Sequence, residues 1–142
     1  MKNTYHTPWI YREKEFIFDE KMPYEAFVYC ITCPDGRKYI GKKSFFFMRK
    51  KPGAKRRSKS QSDWKTYYGS AKEIKDLVKT SDLSAFKREI LHLCITKGES
   101  TYFETKEQFK NNVLEDDNFI NDNILGKFFS ERVKSWKEKQ TM

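Results

Sequence analysis

Hydrophobic residues between Phe27 and Ile40 fall in two short runs, Phe27-Val28-Tyr29-Cys30-Ile31 and Tyr39-Ile40, parted by a polar segment. Runs of β-branched and aromatic residues fit a pleated, half-buried surface, so both read as strands. The connection has turn chemistry: Pro34 fixes φ at the first central position, Asp35 bonds the backbone ahead of it, and Gly36 accepts a left-handed conformation. A β-hairpin is therefore predicted, and the rest of the chain is read around it.

Downstream, Ser44 to Lys50 is read as a helix capped near Ser44, with Phe45, Phe46 and Met48 on a wide apolar face packed in the core. The segment 50–62, KKPGAKRRSKSQS, is almost free of apolar residues and contains no acid, so a mobile loop is expected. Ser70 and Glu73 have capping-box spacing ahead of Ile74, Leu77 and Val78, which predicts a second helix. Phe86 to Ile95 reads as a strand near the middle of the sheet. Gly98-Glu99-Ser100 is read as a break before a helix carrying Tyr102, Glu104, Thr105, Phe109 and Val113. An Asn-rich loop and a last helix after Gly126, with Phe128, Phe129, Val133 and Trp136 inward, complete the chain.

The predicted order β-β-α-α-β-α-α describes an α/β (α+β) domain with a small, mainly antiparallel three-stranded sheet flanked by helices. Residues 1–25 form an N-terminal extension in which Trp9, Tyr11, Phe16 and Phe18 alternate with other residues, so one or two strands at the sheet edge are expected. Residues 26–125 form the main domain, and residues 126–142 a C-terminal helix packed on it.

Composition narrows the partner. With 142 residues the chain is most simply one domain. A net charge of +9 and pI of 9.4 favour a polyanion, most commonly nucleic acid, over the blander reading of a basic soluble surface. No apolar run reaches membrane-spanning length and MKNTYHTPW lacks a signal-peptide core, so a soluble, cytoplasmic protein without a membrane partner is expected. Three cysteines, an odd number, argue against a disulfide framework.

Tyr39-Ile40-Gly41 repeats the triplet YIG, Phe27-Val28-Tyr29 stands on the adjacent strand with phenylalanine in place of the glycine of GIY, and Arg49 follows Tyr39 by ten residues. In this order the chain resembles the GIY-YIG nuclease family over roughly residues 26 to 125. The resemblance implies an endonuclease that hydrolyses DNA by water attack, leaving a 5′-phosphate and a 3′-hydroxyl. Glu104 would be the ligand of one Mg²⁺ (or Mn²⁺), and Arg49 would bind the scissile phosphate. Tyr29 or Tyr39 would be the general base, with Lys42 favouring the phenolate. Tyr68 stands where many members place a histidine or tyrosine, and Asn121 resembles the asparagine that ends the family core. These types suit the chemistry, because guanidinium bonds phosphate oxygens in pairs and one hard carboxylate suits a cation that keeps its waters.

Lys43, Lys50, Lys51, Lys55, Arg56, Arg57 and Lys59 are expected to grip duplex DNA through its phosphates, which position without specifying sequence. No separate reading module is attached, so specificity would come from the loop, the extension, the last helix or a homodimer. A compact chain of this kind resembles free-standing homing endonucleases and nucleases of mobile elements and bacteriophages.

The alternative is a non-catalytic nucleic-acid-binding protein that keeps the fold; loss of Arg49 or Glu104 would mark it, and both are present. A basic interaction protein would make the tyrosines, Arg49 and Glu104 all incidental. Cys30, Cys33, His92 and Cys94 lack the second close pair of a zinc knuckle, so buried strand cysteines are the simpler account. His6 and His92 are the only histidines, against a histidine-metal nuclease finger. Asp82 with Glu104-Thr105-Lys106 also draws an Asp/Glu-x-Lys nuclease pattern, but Glu73-Ile74-Lys75 fits it equally.

Overall fold

A computed structural model describes residues 7–140; His6, the remainder of 1–6 and the last two residues lie outside the described part. In chain order the elements are β1 (Trp9–Tyr11), β2 (Lys14–Glu15), β3 (Ala26–Thr32), β4 (Lys38–Ser44), β5 (Phe46–Lys50), β6 (Arg57–Gln61), α1 (Lys72–Thr80), β7 (Lys87–Cys94), α2 (Lys97–Lys110), β8 (Asn123–Ile124), β9 (Phe128–Phe129) and α3 (Ser130–Gln140). Short 3₁₀ turns cover Trp64–Thr66 and Leu83–Ala85.

The main sheet has five strands, not three, in the order β2-β1-β7-β3-β4. The two additional strands come from the N-terminal segment: β1 runs parallel to β7 and turns back antiparallel into β2. The β3–β4 hairpin forms as its turn chemistry dictates, with Gly36 at φ 90 and its N–H bonded to the Cys33 carbonyl.

Along β3 successive side chains enter opposite layers. Phe27, Tyr29 and Ile31 join Trp9, Phe45, Trp64 and Ile74 on one face; Val28 and Cys30 join Ile40, Cys94, Val113 and Leu114 on the other. Strand periodicity thus makes one sheet serve two cores. It also separates the cysteines, because Cys33 lies in the first core and Cys30 and Cys94 in the second. No cluster of three or more His, Cys, Asp or Glu groups able to hold a metal occurs among the described residues.

The predicted helix over 44–50 is instead β5, and the predicted mobile loop supplies its partner β6. Phe46 and Phe47 point to opposite sides with a period of two: Phe46 packs edge-on against Phe18, and Phe47 lies under Lys43 and Arg49. Segment 57–61 has little to bury, and it is ordered by ladder bonds to β5. Pairing at Ser62 adds to this, since its N–H reaches the Phe45 carbonyl and its Oγ the Ser44 carbonyl. The tip, with Pro52 and the left-handed Gly53, lies outside the ladder and is closed by the Ala54 N–H bonded to the Lys51 carbonyl.

Helix boundaries also differ. The capping box is not made: Ala71 is the N-cap of α1, Ser70 bonds Tyr39, and Glu73 pairs with Arg37. Gly98 does not break the chain but lies in the first turn of α2, which Thr96 caps by accepting from the Glu99 N–H. At the C-terminal end Phe128 and Phe129 form a strand, and with Trp136 they are exposed. Of the four residues expected inward, Val133 alone packs on the second core, while Lys134–Asp117 and Lys137–Glu115 ion pairs tether α3. Among the described residues no helix is long and apolar enough to cross a membrane.

Candidate active site

The site is built where β3 and β4 pair. Tyr29 and Gly41 are direct register partners, and Tyr39 lies two residues before Gly41 on the same face. A Cβ at Gly41 would fall 2.5 Å from Tyr29 Oη and 3.1 Å from Tyr39 Cε2. Only glycine leaves room for both rings, which gives the last letter of the YIG triplet a steric meaning.

Tyr29 is sealed, at 1% exposure, and shares a side-chain hydrogen bond with Tyr67. Burial, followed by the nearby Tyr67 and Tyr39 hydroxyls, raises its phenol well above the ordinary value. Tyr39 is half-buried; its hydroxyl meets Ser70 Oγ at 3.0 Å, and its phenol is also raised, chiefly by burial. Tyr67 and Tyr29 rings meet edge to face, with centroids 5.9 Å apart.

Tyr67, rather than the predicted Tyr68, therefore faces the cluster. Tyr68 turns away into the core, edge-on to Phe86 and beneath the Arg88 guanidinium. The selection is made by Arg88, a buried residue that the sequence reading did not single out. Its Nη1 donates to the carbonyls of Lys65 and Tyr67 at 2.9 and 2.8 Å, and its remaining donors reach the Thr7 carbonyl. Fixing those carbonyls fixes which tyrosine points to the sheet face.

Glu104 approaches from α2, on the other side of the sheet, and reaches the β4 edge, where its carboxylate accepts from the Lys42 backbone N–H. Burial raises its carboxyl above the usual glutamate value, with the Lys42 charge and that N–H acting the other way. Lys42 thus acts electrostatically on Glu104, and its Nζ donates to Thr101 Oγ1 at 2.5 Å. The cation over the tyrosine face is Lys43, 4.2 Å from the Tyr67 ring centre and paired with Asp63 at 2.6 Å.

Arg49 stands on β5, exposed, with its guanidinium stacked 4.3 Å over Phe47. Phe47 in turn lies under Lys43, so Tyr29, Tyr67, Lys43, Phe47 and Arg49 form a continuous row of contacts. Asn121 is buried and grips β4: its Oδ1 accepts from Ile40 N–H at 3.0 Å and its Nδ2 donates to Ile40 O at 2.8 Å. Gln108, another residue without a sequence signal, donates to the same carbonyl at 3.0 Å.

Of the basic residues, Lys59 is paired with Glu25. Lys50, Lys51, Lys55, Arg56 and Arg57 are exposed along β5, β6 and the turn between them.

As for the metal, one half-buried carboxylate held by a single N–H keeps lone pairs directed outward, which fits a hard, largely hydrated cation better than a closed cage.

The sequence matches a known family model. Residues 9–124, including the two N-terminal strands, match the family model described as "Putative endonuclease segE, GIY-YIG domain". No curated protein and no solved structure matches the chain. With most of its length inside that match, the chain belongs to the GIY-YIG endonuclease family and carries its nuclease domain.

Proposed function

We propose that this protein is an endodeoxyribonuclease that cuts duplex DNA by water attack at phosphorus, breaking the P–O3′ bond to leave a 5′-phosphate and a 3′-hydroxyl. The observation that carries this reading is the convergence of Tyr29, Tyr39, Tyr67 and Glu104 around the Gly41 gap, with Arg49 joined to it through Phe47 and Lys43. Glu104 would hold Mg²⁺ or Mn²⁺. When bound, the cation supplies positive charge at the phosphate's non-bridging oxygens and polarises water.

The chain's own groups have separable tasks. The Lys42 N–H orients the Glu104 carboxylate. Arg49 binds two phosphate oxygens at once, a task its planar fork performs and a lysine does not. Tyr29, sealed and kept protonated, holds Tyr67 by its hydrogen bond. Tyr39, less buried than Tyr29 and bonded to Ser70, would orient the attacking water through Oη; burial raises its phenol, so it would take the water's proton only as the phenolate that a bound cation favours. The exposed cations of the β5–β6 ribbon supply the electrostatic grip on DNA. A nuclease of the kind found in bacteriophages and mobile elements, acting in the cytoplasm as a monomer or homodimer, is the corresponding biological setting.

The test is incubation with supercoiled and linear DNA in Mg²⁺ or EDTA, beside folded Glu104→Ala and Arg49→Ala variants. Cutting that requires the metal and both side chains is expected. Salt-sensitive binding without cutting on any substrate would instead favour a binding protein that retains the fold.

A further inference from the structure

A groove of about 360 Å³ lies between the start of β5, Arg57 at the foot of β6 and the first turn of α2. Four cations line it, Lys42, Lys43, Arg57 and Lys97, with Phe47 beneath Lys43 among its apolar lining, and no carboxylate does. Lys43 is balanced by Asp63, and Lys42 lies beside Glu104. Arg57 and Lys97 are exposed and have no ion pair among the described residues, so the groove's surplus charge is theirs.

Its position relative to the site gives that charge a purpose. Lys97 and Glu104 are seven residues apart on α2, two helical turns along one face and about 10 Å in rise. At roughly 3.4 Å of rise per nucleotide along a duplex strand, the interval corresponds to two or three nucleotides. Lys42 joins the two ends, lining the groove while its N–H holds Glu104.

Resting on the nuclease reading above, we infer that this groove is a second phosphate site: Lys97 and Arg57 bind the DNA backbone two or three nucleotides from the scissile phosphate and set the register of the strand being cut. The Phe47 ring beneath Lys43 accommodates the sugar face of the same segment. Lys97 is thereby a substrate-positioning residue on the opposite wall of the groove from the basic ribbon.

The test uses the full-length protein and a fluorescent duplex, with binding followed by anisotropy across a salt series in EDTA and cutting of the same duplex followed in Mg²⁺. The double variant Arg57→Ala/Lys97→Ala is compared with Lys14→Ala/Lys110→Ala, which removes equal charge from the far sheet edge and the opposite end of α2. Thermal melts verify folding of both. For the groove variant, binding about tenfold weaker and a slope of log K against log salt lower by about two are expected. Its cutting at sub-saturating DNA should fall in parallel, while the control stays within about twofold of the unaltered protein. Duplexes trimmed to fewer than about three nucleotides beyond the cut should no longer distinguish the groove variant. If the two variants behave alike while the unaltered protein cuts, the groove proposal is overturned and the nuclease reading stands. If the unaltered protein neither binds nor cuts, both fall.

Discussion

Tyr29 and Gly41 face each other across β3 and β4, and the tyrosine's hydroxyl occupies the space where a side chain at position 41 would begin, 2.5 Å from an added Cβ. Gly41→Ala must therefore displace a sealed ring that is also bonded to Tyr67. Overpacking of this kind costs about 1–3 kcal/mol. A lower denaturation midpoint together with cutting reduced beyond the loss of folded protein is expected; unchanged activity would show that the tyrosine arrangement is not needed.

Glu104 gives a pH signature whose direction follows from its burial. Its carboxyl is raised in the folded protein, so the native state holds a proton that the unfolded chain has released, and stability falls as pH rises through the raised value. Glu104→Gln should therefore stabilise the fold at neutral pH while abolishing cutting. Since the cation competes with the proton for the carboxylate, the acid limb of the pH–rate profile should move to lower pH as Mg²⁺ is increased. A limb insensitive to Mg²⁺ would assign it to another group.

Tyr67 and Tyr68 are one residue apart and have opposite surroundings. Tyr67→Phe removes the hydroxyl bonded to Tyr29 and should lower kcat at least tenfold, whereas Tyr68→Phe, whose ring is edge-on to Phe86, should cut nearly normally. Kinetics of the two variants side by side decide the point, and the reverse outcome would return the role to Tyr68.

Arg88 selects between them. Arg88→Met leaves the buried Thr7 carbonyl and the partly buried Lys65 and Tyr67 carbonyls without their donors, a loss of about 3 kcal/mol in urea denaturation. Arg88→Lys should recover little of it, because a single ammonium does not span three carbonyls as the guanidinium fork does. Full rescue by lysine would mean that the charge matters and the geometry does not.

What the sequence discloses depends on how local each determinant is. The β3–β4 hairpin is written in Pro34-Asp35-Gly36 and its flanking β-branched residues, and β7 in Ile90, Leu91, Leu93 and Cys94, so both are legible. Phe45 to Met48 is apolar at nearly every position and fits a helix and a strand equally. Its partner, residues 57–61, contains no apolar residue, and their pairing is a ladder between segments that periodicity does not connect. β1 is legible in the alternation of Trp9 and Tyr11, whereas the Phe16 and Phe18 alternation lies outside β2, and the attachment of β1 to β7 is not legible, since parallel pairing carries no turn signature. In the site, the family resemblance brings out Tyr29, Tyr39 and Glu104. Tyr67 stands apart from it because the Arg88 clamp comes from a strand 21 residues away, and Gln108 because a glutamine on a polar helix looks like any solvated one.

The outer edge of β4 has a consequence for how the molecule meets others. The Lys38 and Ile40 main-chain groups are taken by Asn118, Ile120, Asn121 and Gln108, and the Lys42 N–H by Glu104. Such an edge offers no template for another strand, whether from a second copy, an unfolded neighbour or a peptide. Along this edge, recognition is left to side chains, which favours a phosphate backbone over a polypeptide one.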